Sequence, residues 1–289
     1  MIEITKKISK NILPESGLIF IRYLFSYVAY LKYGPLLQEN KYYKGAYFGK
    51  TAFLLGSGPS IKNQNLQLLR DQNIISLNNA FVFDGYEEFV TGEGGKFHLI
   101  APIHPPISEI DWVSWLSEME KKIPENVILV FGLNFNKVNV HYLVSKYKLF
   151  KKHKIIWYLA TRPFFKKKLD QKISDINKPI FAAEAASIYG IMVADFLGFD
   201  SLYLLGMDHD YFLHSHSSEM RAYKEAEHQK HEQNQDLDDD FYIQELFSLY
   251  KISIKYKFLK ESLRINVLNA SAGGVLKIFE RCSYEKLFK

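Results

Sequence analysis

The sequence predicts an α/β protein: a Rossmann-like, mostly parallel sheet with helices on both faces, an N-terminal helical arm and a polar lid. Three observations predict it. Short apolar runs such as TAFLL (51–55) and SLYLLGMD (201–208) have the character of strands buried on both faces, as parallel sheets require. These runs alternate with stretches of helical length. The first run also breaks at once into a glycine turn, GSGPS (56–60). Open α/β sheets place such turns where ligands meet the carboxyl ends of strands.

Residues 1–46 read as the helical arm, and 47–289 as one α/β domain. Within the arm, GLIFIRYLFSYVAYLKYG (17–34) is the most apolar stretch near either end, but Arg22 and Lys32 interrupt it. It falls short of the roughly 20 apolar residues of a spanning helix. Its Tyr, Phe and Lys residues suit either a peripheral contact with the inner face of the cytoplasmic membrane or packing on the domain. The tail KIFERCSYEKLFK (277–289) is open to the same two readings.

After the strand at 51–55, the pattern predicts a helix over about 60–71 with Ser60 as its cap. IISLNNAFVF (74–83) is the second strand and KFHLIAP (96–102) the third, closed by the proline-rich PIHPP. A helix over about 109–122 follows, then strands at 126–132 (NVILVFG) and 154–160 (KIIWYLA). AAEAASIYGIMVADFL (182–197) is an apolar helix closed by Gly198, ahead of the strand at 201–208. A His-rich polar lid spans about 209–243, before a helix over about 241–262 and a final strand INVLNAS (265–271).

With 289 residues, 47% of them apolar, the chain can bury a large core, and 19 Tyr and 22 Phe exclude extended disorder. The single cysteine, Cys282, excludes an internal disulfide and a thiolate metal cluster, which fits a reducing, cytoplasmic setting. The polar start, MIEITKKISK, has no signal-peptide character. Net charge is +5. Lysines cluster at 151–154 and 166–168, and acids at 236–240. That balance admits anionic ligands or membranes, whereas a nucleic-acid-binding protein would be more basic.

Candidate chemistry gathers at three strand ends. The turn Gly56, Ser57, Gly58, Pro59, Ser60 lets backbone approach a ligand and aims amides at an anion, unless it is only a tight turn. It matches neither the G-x-G-x-x-G nor the P-loop pattern. Asn78 and Asn79 could bond a ribose or a base edge, or could cap the turn. Asp208 ends a buried strand, with His209, Asp210 and Tyr211 behind it, the layout of a catalytic edge.

GSGPS after an apolar strand, NNAFVF some twenty residues on, and AASIYGIMVADFLGFDSLYLLGMDHDY together resemble the bacterial lipooligosaccharide sialyltransferases. They are also similar to the wider group of 6-hydroxymethylpterin diphosphokinase-like proteins, which includes flagellin-glycosylation accessory proteins; the ending INVLNASAGGVLKIFER looks more like that group. The resemblance covers roughly 50–280, in patches. It implies a metal-independent transferase with a CMP-activated acidic sugar as donor and a glycan as acceptor. Residues 56–60 match the nucleotide turn, with Ser57 where the family has an asparagine. Asn79 matches the asparagine beneath the nucleotide, and Ser187 lies near a Ser-Gly pair that touches the sugar-nucleotide. Tyr211 falls one place after a phosphate-binding tyrosine. The family's histidine base would be His231, or His228 one helical turn earlier; imidazole titrates in the right range.

Rival readings exist. Asp208-His209-Asp210 with His228 and His231 could hold a divalent ion. The wider group admits a Mg-dependent pterin diphosphokinase and a non-catalytic accessory protein. The reading carried forward is the transferase, without a metal cofactor.

Overall fold

The computed structural model describes residues 15–164, 173–216, 219–223 and 238–289. The apolar runs pair as strands whose two faces are both covered. They are β1 (Thr51–Leu55), β2 (Asn73–Leu77), β3 (Lys96–Ile100), β4 (Ile128–Leu133), β5 (Ile155–Arg162), β6 (Ile180–Phe181), β7 (Ser201–Leu205), β8 (Asn266–Asn269) and β9 (Glu280–Arg281). They form one parallel sheet in the order β6-β5-β4-β3-β2-β1-β7-β8-β9. The expected α/β class is therefore observed.

Helices α1 (Glu15–Gln38), α3 (Glu109–Lys122) and α4 (Val140–Tyr147) lie on one face, as does the short α2 (Tyr86–Val90). They bury Tyr33, Leu37, Phe89, Trp115, Leu116 and Leu143 against Phe53, Leu129, Phe131 and Trp157. On the other face, α5 (Ala186–Leu197) and α6 (Asp239–Ser262) pack Ile188, Ile191, Ile252, Tyr256 and Leu259 on Leu54, Val130, Ile156 and Leu204. Helix α3 forms where the pattern predicts it. Ser108 accepts from the Asp111 amide, and Lys121 and Lys122 sit at its carboxyl end, favourable to the helix dipole.

The arm is seated along β5. Ser26 Oγ meets Thr161 Oγ1 at 2.8 Å, and Asn40 brackets the Trp157 main chain, donating to its carbonyl at 2.7 Å and accepting from its amide at 3.2 Å. The other side of α1 leaves Phe20, Leu24, Phe25, Tyr27, Val28 and Leu31 exposed. Among the described residues, no helix is long and apolar enough to cross a membrane.

Four expectations need correction. The helix over 60–71 does not form. Pro59–Asn63 and Leu66–Leu69 are separate 3-10 turns, the second capped by the Asn65 side chain. Ser60 is not a cap, because its hydroxyl and amide are held by Asp208. The second strand stops at Leu77, where Asn78 turns left-handed (φ 47°) and Asn78–Val82 winds into a 3-10 turn. Likewise β7 ends at Leu205, so Gly206, Met207 and Asp208 belong to the loop that follows it.

A buried imidazole fixes that turn. His98 on β3 donates from Nε2 to the Asn78 carbonyl (2.8 Å), which leaves Nδ1 to accept from Ser76 or Tyr86 (2.8 and 3.0 Å). Burial drags its pKa down to about 3, against the raising effect of the Asn78 bond. The folded pKa lies below the unfolded value of about 6.5. The associated stability is thus full above that pH and is lost as pH falls toward 3. Urea titrations at pH 7 and pH 5 should show the native chain losing about 2 kcal/mol more than His98→Gln over that step. Equal losses would mean that His98 takes up its proton without hindrance.

Candidate functional site

Strand order reverses beside β1: β2 to β6 extend to one side of it and β7 to β9 to the other. Crevices at such switch points, beyond the carboxyl ends, are where open α/β sheets bind ligands. A cleft of about 290 Å³ opens there. Its lining includes Gly56, Ser57, Gly58, Asn78, Asn79, Ser187, Asp208, His209 and Tyr211. Residues far apart in sequence thus share one concavity. Pro59 and Ser60 do not line it; they form the turn behind it.

That turn is locked to the loop after β7. Asp208, almost fully buried, accepts from the Ser60 amide at Oδ2 (2.8 Å) and from the Ser60 hydroxyl at Oδ1 (2.5 Å). Gly56 and Gly58 donate their amides to the carbonyls of Leu205 and Gly206, both at 2.9 Å. So the amides of Gly56, Gly58 and Ser60 are spent on the β7 side, and the turn brings bare backbone to the cleft. Approach this close needs glycine. A Cβ on Gly58 would lie 2.5 Å from Asp208 Oδ2, and one on Gly274 (φ +79°) 2.2 Å from Asp208 Cα.

The small residues near the chain end complete the clamp. Ser271 Oγ accepts from the Met207 amide (3.0 Å), and the Val275 amide donates to the Asp208 carbonyl (2.8 Å). Arg281 in turn ties down the carbonyls of Ser271, Gly273 and Gly274. Burial pushes the Asp208 carboxyl up; the Ser60 bonds pull it back, Asp210 adds to the rise, and Arg281 opposes it.

Next to the clamp is a hydroxyl–imidazole chain. His209, left-handed at φ 53°, places Nε2 2.8 Å from the Tyr256 hydroxyl, which also bonds Ser187 Oγ. The chain joins the β7 loop, α6 and the first turn of α5. Burial lowers the His209 pKa to about 4, with Asp210 opposing, so the ring is neutral at physiological pH. On the opposite wall, Asn79 accepts from Trp115 Nε1 (2.7 Å) and donates to the Tyr223 hydroxyl (3.0 Å). Asn78 accepts from the Ala101 amide (3.1 Å), tying the end of β2 to that of β3.

Part of the lid rests on the turn. The Ala222 amide donates to the Ser57 carbonyl (2.9 Å), and Tyr223 tilts against Phe83. Arg221 lies over the Tyr211 ring, 4.5 Å from its centroid. Arg221, Tyr223 and Glu245 line the cleft, and the reading of the sequence missed all three. Trp115 and Tyr256 were missed too. Tyr256 carries a readable signal, since it falls on the Ile252, Tyr256, Leu259 stripe of α6 with a hydroxyl that must find a buried partner. Residues 219–223 have no periodicity to mark them.

His228 and His231 lie outside the described residues. Among the described residues, no three His, Cys, Asp or Glu side chains are grouped to hold a metal ion. Within Asp208-His209-Asp210, Asp208 turns to Ser60, whereas Asp210 faces His214 at 3.4 Å. The two carboxylates therefore have different partners.

Substituting Gly58→Ala should lower the unfolding free energy by about 1–3 kcal/mol in urea titration, as overpacking does. Unchanged stability would contradict the tight approach of the turn to Asp208.

No protein-family model and no curated protein matches the chain. Among solved structures, it is similar to the sialyltransferase CstII from Campylobacter jejuni in complex with a substrate analogue, cytidine-5'-monophosphate. Identity is 16%, covering 82% of this chain and 86% of that one, with a TM-score of 0.44.

Proposed function

We propose that this chain is a glycosyltransferase that moves an acidic sugar of the sialic, legionaminic, pseudaminic or Kdo type from a CMP-activated donor to a glycan acceptor. One observation carries the reading: the cleft at the switch point gathers the glycine turn, Asn79, Ser187, two tyrosines and an arginine. That set has the parts a sugar nucleotide needs. It offers bare backbone that a nucleotide can approach closely, amide and hydroxyl groups for ribose, base and sugar, and a cation for the phosphate and its departing charge. The resemblance of 56–60, 78–83 and 185–211 to the bacterial sialyltransferases supports the same assignment.

In this reading, the bond from the sugar's anomeric carbon to the phosphate oxygen breaks, and its electron pair leaves with CMP. The acceptor hydroxyl oxygen bonds the anomeric carbon and gives its proton to His231 or His228. His209 is assigned to binding rather than to proton transfer. Its pKa of about 4 makes it a weak base, and its Nε2 is engaged by Tyr256. Positioning and stabilisation of the leaving phosphate supply the rate, and no metal cofactor takes part.

A thermal-shift panel of CMP, CDP and ATP with Mg²⁺ tests the assignment. CMP at a hundred times its Kd should add about 2.7 kcal/mol of stability. Stabilisation by ATP alone would favour the diphosphokinase reading, and no response to any nucleotide an accessory role. His231→Ala should abolish transfer, followed by mass spectrometry of the acceptor, while CMP binding persists. Normal turnover in that variant would remove His231 from the role.

A further inference from the structure

The cleft is acidic except at one point. Glu184, Asp208 and Glu245 line it, and among the described lining residues Arg221 is the one Lys or Arg. Glu184 is matched by Lys255 and Asp208 by Ser60. Glu245 is raised by burial and drawn back down by the Arg221 charge. Among the described lining residues, an anion entering the cleft therefore meets one cationic side chain, Arg221.

Arg221 is held there from two sides. The Ala222 amide bond to the Ser57 carbonyl fixes the neighbouring residue against the glycine turn, and the Tyr223 hydroxyl is held by Asn79. The Tyr211 ring lies under the guanidinium at 4.5 Å. Stacking on an aromatic face leaves the N–H edges of an arginine open to fork onto phosphate, a geometry lysine cannot reproduce.

We infer that Arg221 receives the phosphate of the nucleotide, and that Tyr211 is its positioning residue, acting through its ring and not through its hydroxyl. The inference rests on the CMP-sugar reading above. It also departs from what the family resemblance implies for Tyr211, a direct contact with the phosphate.

The experiment is isothermal titration of CMP and of cytidine, which lacks the phosphate, into the native chain and four variants. Arg221→Gln should weaken CMP at least tenfold and leave cytidine affinity unchanged, and Arg221→Lys should recover only part of the loss. Tyr211→Leu should lower the ratio of CMP to cytidine affinity in the same way, and Tyr211→Phe should restore that ratio. Melting curves confirm that each variant is folded; if Arg221→Gln fails to fold, Arg221→Lys serves in its place. CMP affinity unchanged by the Arg221 substitutions overturns the inference and leaves the transferase reading standing. A loss in Tyr211→Phe equal to that in Tyr211→Leu overturns the role given to the ring. Absence of CMP binding to the native chain overturns the transferase reading and the inference with it.

Discussion

The carboxylate of Asp208 on Ser60 is the contact on which the rest of the cleft depends. It joins the ends of β1 and β7, the two strands that diverge at the switch point, through a backbone and a side-chain hydrogen bond. Around it the chain gives up side chains, at Gly58 and Gly274, so that three loops can meet. Burial raises the acid's pKa, so its ionised form is held in place at an energetic disadvantage that the Ser60 bonds and Arg281 offset in part. Groups kept under such tension are common at functional sites.

Other features follow from that junction. With the amides of Gly56, Gly58 and Ser60 committed to the β7 side, the positive charge among the described lining residues comes from a side chain, Arg221. The residue after Asp208, His209, takes a left-handed backbone and sets its ring against Tyr256 of α6. A neutral His209 bonded through Tyr256 to Ser187 then ties the β7 loop to α6 and α5 beside the cleft. The His98 network does the equivalent at the end of β2, where it pins the carbonyl of Asn78.

How much of this was legible in the sequence depended on whether the cause was local. Strands β1 and β7 could be read because burial on both faces writes an unbroken apolar run, and α3 because Ser108 and the basic pair at its end mark both boundaries. Helices α2 and α4 and strands β6 and β9 are 5, 8, 2 and 2 residues long, too short for periodicity to show. NNAFVF looked like strand because it is apolar, but a left-handed Asn78 held by β3 ends the run early. Ser60 had the look of a helix cap; its partner lies 148 residues away, and no local pattern could reveal it. Asn79 and Ser187 were found as types that bond ligands, whereas Trp115 and Tyr223, which position Asn79, were hidden by distance in sequence.

A double-mutant cycle on Ser60→Ala and Asp208→Asn measures the central contact most directly. Unfolding free energies of the four forms should give a coupling of about 1–3 kcal/mol, because neither residue contributes without the other. Losses that add to within about 0.5 kcal/mol would show the two groups to be independent. The junction would then not be what builds the cleft.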